Sequence, residues 1–217
     1  MVATKNKLTA GKKPKALLLL SGGIDSPVAG LLAQKKFEVE AIHFSQAPFT
    51  DDSPEKKSTE AAKKLGLKEL IVVDAGNEFK EIAEKGARPF YFVLMKRFMM
   101  KVSEKIAEQR GAKFLVTGES IGQVSSQTIS NLNNINNATK IEILRPLLFM
   151  QKQEIIDLSI ANGFYETSKG PELCDALAAE KPKTKTKIME VLFEEKNCGM
   201  KELVEKASKK IRIVQIN

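Results

Sequence analysis

A short apolar run, Ala16 to Leu20, ends abruptly in Ser21-Gly22-Gly23, and the pattern of an apolar run closed by turn residues recurs down the chain. Such runs read as buried parallel strands. The first covers Lys15 to Leu20. It is followed by a helix from Pro27 to about Lys36, where Pro27 suits a first turn whose N–H groups lack intrahelical partners. Val39 to Phe44 is the second strand, closed by Ser45-Gln46-Ala47-Pro48, and Ser53 to Leu65 the next helix, with Ser53 as N-cap and Pro54 at its first position. Lys68 to Asp74 is the third strand. Phe90 to Arg110 is the longest helical pattern, with a stripe of Phe92, Met95, Met99, Val102 and Ile106 expected to face the sheet. Lys113 to Thr117 is a fourth strand, Ile121 to Asn137 a helix, Ile141 to Leu147 a fifth strand and Lys152 to Ala161 a helix ending at Asn162-Gly163.

Strands alternating with helices and no hairpin turns predict an α/β fold: a doubly wound, Rossmann-like parallel sheet of about five strands, followed by an irregular or helical C-terminal segment. Residues 1–14 lack periodicity and read as a flexible basic arm, 15–190 as the domain proper, and 191–217 as an extension packed on it. Tyr91, Leu94, Phe98 and Met100 lie off the main stripe of the 90–110 helix, so that helix is expected to be covered on two sides, the second by another part of this chain or by a partner subunit, the surplus favouring a homodimer.

Composition narrows the chemistry. A single histidine, His43, must serve any Ser-His-Asp mechanism and cannot build a His-rich zinc site. Two cysteines, Cys174 and Cys198, are too few for a disulfide framework or an iron–sulfur cluster. No apolar run is long enough to span a membrane and no secretory leader pattern is present, so a soluble cytoplasmic protein is expected. The 35 Lys and Arg against 27 acidic residues give a formal charge of +8. The surplus gathers at Lys5, Lys7, Lys12, Lys13 and Lys15 and again at Lys181, Lys183, Lys185 and Lys187, which favours a polyanion such as RNA or simply a solvated surface.

Ser21-Gly22-Gly23-Ile24-Asp25-Ser26 places a glycine-rich turn between a strand and a helix N-terminus, where amides and dipole hold a phosphate. It lacks the Gly-x-x-x-x-Gly-Lys-Ser/Thr of a Walker A loop and the Gly-x-Gly-x-x-Gly of a dinucleotide fold. It resembles the PP-loop of the N-type ATP pyrophosphatases, which split ATP to AMP and pyrophosphate while adenylating a second substrate. Within them, Leu20 to Gly30 is similar to the tRNA 4-thiouridine synthetases, or tRNA sulfurtransferases. Further segments match in the same order: Ala41 to Phe44, Pro48 to Thr50, Lys96 to Met100, Thr117 to Thr128, Leu144 to Pro146 with Lys152, Cys174, and Pro182 to Thr184.

The resemblance implies an adenine nucleotide alpha hydrolase-like fold and roles for particular residues. Ser21, Gly22, Gly23 and Ser26 would hold the phosphates of ATP. Asp25 would position Mg²⁺ on them, or only cap the helix. Leu19, Leu20, His43 and Phe44 would contact adenosine, although a lone histidine is also a common structural residue. Lys96 flanks the helix stripe and is the candidate for the nucleotide, whereas Arg97, expected opposite it, would form a surface ion pair or touch RNA. Gly118 and Gln127 match nucleotide-contacting positions, Gln127 with the alternative of satisfying backbone groups. Lys152 would offset charge on the α-phosphate, or be solvated. Cys174 matches the sulfur-handling cysteine, against the bland reading of a small core residue. Cys198 has no counterpart and is considered as a transient partner releasing sulfide from Cys174 by thiol exchange.

Family members commonly carry a THUMP domain ahead of the loop and often a C-terminal rhodanese domain, so the expectation here is a catalytic domain with neither. It would act on tRNA with an external persulfide or sulfide donor and a separate RNA-binding subunit. The alternatives are a non-catalytic adenine-nucleotide-binding or RNA-binding accessory protein, or another PP-loop synthetase.

Overall fold

A computed structural model describes residues 12–169 and 181–216 of the chain. β1 (Lys15–Leu19), β2 (Glu38–Ser45) and β3 (Glu69–Asp74) run parallel to one side, and β4 (Phe114–Val116) and β5 (Glu142–Leu144) parallel to the other. A sixth strand, β6 (Ile211–Gln215), pairs antiparallel with β3, giving the order β5-β4-β1-β2-β3-β6. The chain therefore winds outward from β1 through β3 and returns to β4 on the other flank of β1. The crevice beyond the carboxyl ends of β1 and β4 is the switch point, where ligands of such sheets bind.

Both faces of the sheet are covered because its strands are apolar on both sides. Leu17 and Leu19 join a core with α3 (Gly76–Lys85), α4 (Tyr91–Arg110), α8 (Ile188–Asn197) and α9 (Met200–Ala207). Ala16, Leu18 and Leu20 join a second core with α1 (Asp25–Ala33), α2 (Ser53–Lys64), α6 (Lys152–Ala161) and α7 (Phe164–Ser168).

Several expectations change. β6 is not foreseen, nor is α3, whose apolar face consists of Phe79, Ile82 and Ala83 at helical spacing among charges. The expected N-cap of α2 moves from Ser53 to Asp52, leaving Pro54 in the first turn. The helix expected over 121–137 forms only as α5 (Ile129–Asn136), because Gly122 takes φ 78° and the preceding chain stays in a loop and a 3-10 turn, Ser125–Gln127. Thr128 caps α5, its Oγ1 accepting from Asn131 N at 3.3 Å.

On α4, Tyr91, Leu94, Phe98 and Met100 are fully buried, as are Val102 and Ile106 of the expected stripe, whose Phe92 and Met99 are only half-buried. The second side of the helix is covered by α5, α8 and α9 of the same chain, so its apolar surplus gives no reason to invoke another subunit. Arg97 follows from this. Instead of lying on the surface it is 0% exposed, with Nε donating to Glu195 Oε1 at 2.8 Å and Nη1 to the Asn134 carbonyl. No described helix is long and apolar enough to cross a membrane.

Candidate active site

At the end of β1 the chain turns through Ser21–Ile24 into α1. The turn is held by its own serines: Ser21 N donates to Ser26 Oγ at 2.8 Å, the two hydroxyls lie 3.0 Å apart, and Gly23 N donates to Ser21 Oγ at 3.4 Å. The first-turn amides of α1 have no intrahelical acceptor and point, with the helix dipole, toward the same space. Gly118 explains how the second loop comes so close. A Cβ there would stand 2.6 Å from Ser26 N and 2.7 Å from the Asp25 carbonyl carbon, so only glycine lets the chain after β4 lie on the start of α1.

The result is a cleft of about 630 Å³. It is lined by Leu19, Leu20, Ser21, Gly22, Gly23, Asp25, Ser26, His43, Phe44, Lys96, Gly118, Gln127 and Lys152, so the fold gathers these sequence candidates in one place. Cys174 lies outside the described residues, as do Lys5 and Lys7. A second, open depression of about 720 Å³ between α4, α8 and α9 is rimmed by Lys and Glu and contains none of the candidates.

Individual groups are now defined. Lys152, the first residue of α6, donates to Asp25 Oδ1 at 2.8 Å and to Gln123 Oε1 at 3.4 Å. Asp25 thus carries a partner charge and does not cap α1. His43 is 4% exposed, and its Nδ1 lies 3.0 Å from the Leu20 carbonyl and 2.9 Å from Ser58 Oγ. A carbonyl only accepts, and Ser58 already donates to the Pro54 carbonyl at 2.8 Å. Nδ1 therefore carries the proton and Nε2 is a bare acceptor. Burial lowers the His43 pKa below its usual 6.5, so the ring is neutral at physiological pH.

Gln127 sits in the 3-10 turn rather than in a helix. Its Oε1 accepts from Ser120 N at 3.4 Å and its carbonyl from Gly122 N at 3.0 Å, which shapes the cleft wall.

Sequence reasoning passes over one group of residues. Glu119 is 2% exposed, its Oε2 accepting from Thr117 Oγ1 at 3.0 Å and from Arg145 Nε at 2.8 Å, while Lys96 Nζ stands 3.8 Å from Oε1. This buried carboxylate holds Lys96 at the cleft. The signals in the sequence are its place one residue past Gly118 at a strand end and the inclusion of Thr117, Glu119 and Arg145 in the matching segments, none of which assigns it a role.

One expectation about the surroundings fails and another is narrowed. Cys198 is 1% exposed in the core beside α4 and α9, and burial, reinforced by Glu195, pushes its thiol up to about 11. A thiol so firmly protonated is a poor attacking nucleophile, which removes its proposed exchange with Cys174. Within the basic tract, Lys183 is committed to Glu190 at 3.0 Å and to the Phe90 ring at 4.5 Å, leaving Lys181, Lys185 and Lys187 exposed.

Comparison with known proteins places these features. Residues 11–200 match the family model described as thiamine biosynthesis protein (ThiI). A probable tRNA sulfurtransferase of Alkaliphilus oremlandii is 42% identical over 97% of this chain and 55% of its own length. One from Acetivibrio thermocellus is 39% identical over 95% of this chain and 54% of its own length. Among solved structures, a 4-thiouridine synthetase in complex with RNA and bound ATP superposes with a TM-score of 0.88 at 32% identity, over 94% of this chain and 55% of that one. The chain spans about half the length of the curated relatives it matches. Its glycine-rich loop, switch-point cleft and family match together establish that the chain belongs to the ThiI family.

Proposed function

We propose that this chain is the ATP-splitting domain of a tRNA sulfurtransferase that makes 4-thiouridine. The observation that carries the reading is the convergence, in one cleft, of the Ser21–Ser26 loop, the Lys152–Asp25 pair and the ends of β1, β2 and β4. The volume suits a nucleotide. The phosphates of ATP would rest on the loop amides and hydroxyls, and adenosine against Leu19, Leu20, His43 and Phe44. His43 spends its proton on Leu20, so it contributes shape and an acceptor rather than acid–base chemistry.

In the reaction, uridine O4 attacks the α-phosphorus. The bond from that phosphorus to the bridging oxygen breaks, pyrophosphate leaves, and the uracil N3 proton passes to solvent. Lys152 and Lys96 bring positive charge to the phosphates, the electrostatic help this transfer needs. Asp25 is the loop carboxylate available to a Mg²⁺ carried on the nucleotide. Such an ion needs only one or two protein carboxylates beside substrate phosphates, so Asp25 would suffice to hold it, and it would supply further charge neutralisation. Sulfide, or the outer sulfur of a persulfide on Cys174, then attacks C4 and AMP departs with the former uridine oxygen. In the persulfide route an external thiol next attacks Cys174 Sγ, breaking the S–S bond to free the 4-thiouridine, and a second thiol reduces the mixed disulfide left on Cys174. The sulfurtransferase relatives and the RNA- and ATP-bound synthetase support this reading.

Pyrophosphate release from ATP, measured with and without tRNA, tests it. Release is expected to depend on tRNA and to fall about a hundredfold or more in Asp25→Ala, as for other losses of transition-state charge stabilisation. The variant should remain folded, because its ion pair with the half-exposed Lys152 adds little stability. Nucleotide binding without turnover would instead indicate an accessory protein.

A further inference from the structure

Three apolar side chains stand in solvent on the loop after β4 and the segment bonded to it: Phe149 is 82% exposed, Val124, which lines the cleft, 55% and Ile121 37%. Single exposed apolar residues are ordinary, but a cluster marks a contact surface. The backbone under this one is fixed. Ile121 N donates to the Leu148 carbonyl at 3.0 Å, Ser120 Oγ to the Met150 carbonyl at 3.4 Å, and Met150 N to the Leu147 carbonyl at 2.9 Å, so Phe149 projects from a segment tied on both sides to the loop after β4. Val124 and Gln123 line the cleft itself, and Gln123 shares Lys152 with Asp25. An exposed aromatic ring therefore lies a few residues along the chain from the ammonium that faces the phosphate loop.

We propose that Phe149, with Ile121 and Val124, is the platform on which an unstacked pyrimidine of the RNA substrate rests as it enters the cleft. This deepens the reading of the cleft as a site of uridine activation and rests on it. The occupant is argued from chemistry. A uridine must leave its stack to bring O4 to the α-phosphate, which exposes two apolar ring faces. Such faces are held by aromatic and apolar side chains. Lys152, three residues from Phe149 and bonded to Gln123 next to Val124, lies on a chain of formal charge +8, which favours a polyanion as the occupant.

The chain contains no tryptophan, so Phe149→Trp introduces a single fluorophore. Its emission is expected to be quenched by an RNA stem-loop with unpaired uridines and not by a fully paired duplex. A tryptophan in place of Phe193, exposed on α8 across the sheet, should respond to neither. In steady-state assays Phe149→Ala should raise the KM for tRNA about tenfold, the typical loss of one stacking contact, with the KM for ATP unchanged. Equal quenching by duplex, no quenching, an unchanged KM for tRNA in an active enzyme, or a change of oligomeric state on Phe149→Ala would each overturn the platform. Absence of tRNA-dependent turnover in the wild type would defeat the functional reading instead, since the quenching experiment needs no catalysis.

Discussion

His43 shows how far one side chain can be read from its partners. Its Nδ1–H serves the Leu20 carbonyl and Ser58, and burial depresses its pKa, so the fold admits the ring only as the neutral form. The unfolded chain binds a proton near pH 6.5 while the folded chain does not, and stability is therefore lost as pH falls below about 6.5. Thermal denaturation between pH 7.5 and 5.5 should show a falling Tm, with part of that fall absent in His43→Asn, whose amide can still donate to Leu20. An identical slope in both proteins would contradict this. Arg97 is the opposite case. Replacement by Met leaves Glu195 buried without its nearest partner charge and should cost about 3–5 kcal/mol in denaturant unfolding, as for other broken buried pairs. The residues of the Ser21–Ser26 loop are legible in the sequence because a motif at a strand end needs only local geometry. Arg97 is not, since a helical wheel cannot tell which neighbours will cover its polar side.

Elements were legible in proportion to how much their apolar pattern alone decides. β1 and β3 are near-continuous apolar runs and can be read directly, whereas the apolar pattern overruns β5, expected over 141–147 and formed only as Glu142–Leu144. β6 alternates at a sheet edge, and α8 and α9 take their place only by packing on α4, so these depend on tertiary context. The segment 118–128 has helical spacing but serves the cleft, and Gly122 at positive φ keeps it open. Its junction with α1 is the sharpest test at this scale. Gly118→Ala forces a Cβ into the backbone at Asp25 and Ser26, and with no flexible side chain to yield, the Ser21–Ser26 loop must shift. Nucleotide affinity, measured by titration calorimetry, is expected to drop about tenfold or more from such a displacement, while the circular dichroism spectrum is retained. Unchanged affinity would show that the contact carries no role in the loop.

For the whole molecule, the doubly wound topology puts the cleft at the switch point, and the family match agrees with the loop it contains. What the sequence conveys here is the nucleotide chemistry. In the proposed reaction the sulfur step would rest on Cys174, which lies outside the described residues, and Cys198 is sealed in the core. The central claim is that ATP activates the uridine oxygen itself, and the fate of that oxygen tests it most directly. With tRNA carrying ¹⁸O at uridine C4, ATP and sulfide, mass spectrometry of the AMP formed should find one ¹⁸O for each 4-thiouridine made. AMP bearing only unlabelled oxygen would mean that water, not uridine, attacks the α-phosphorus, and would contradict the account.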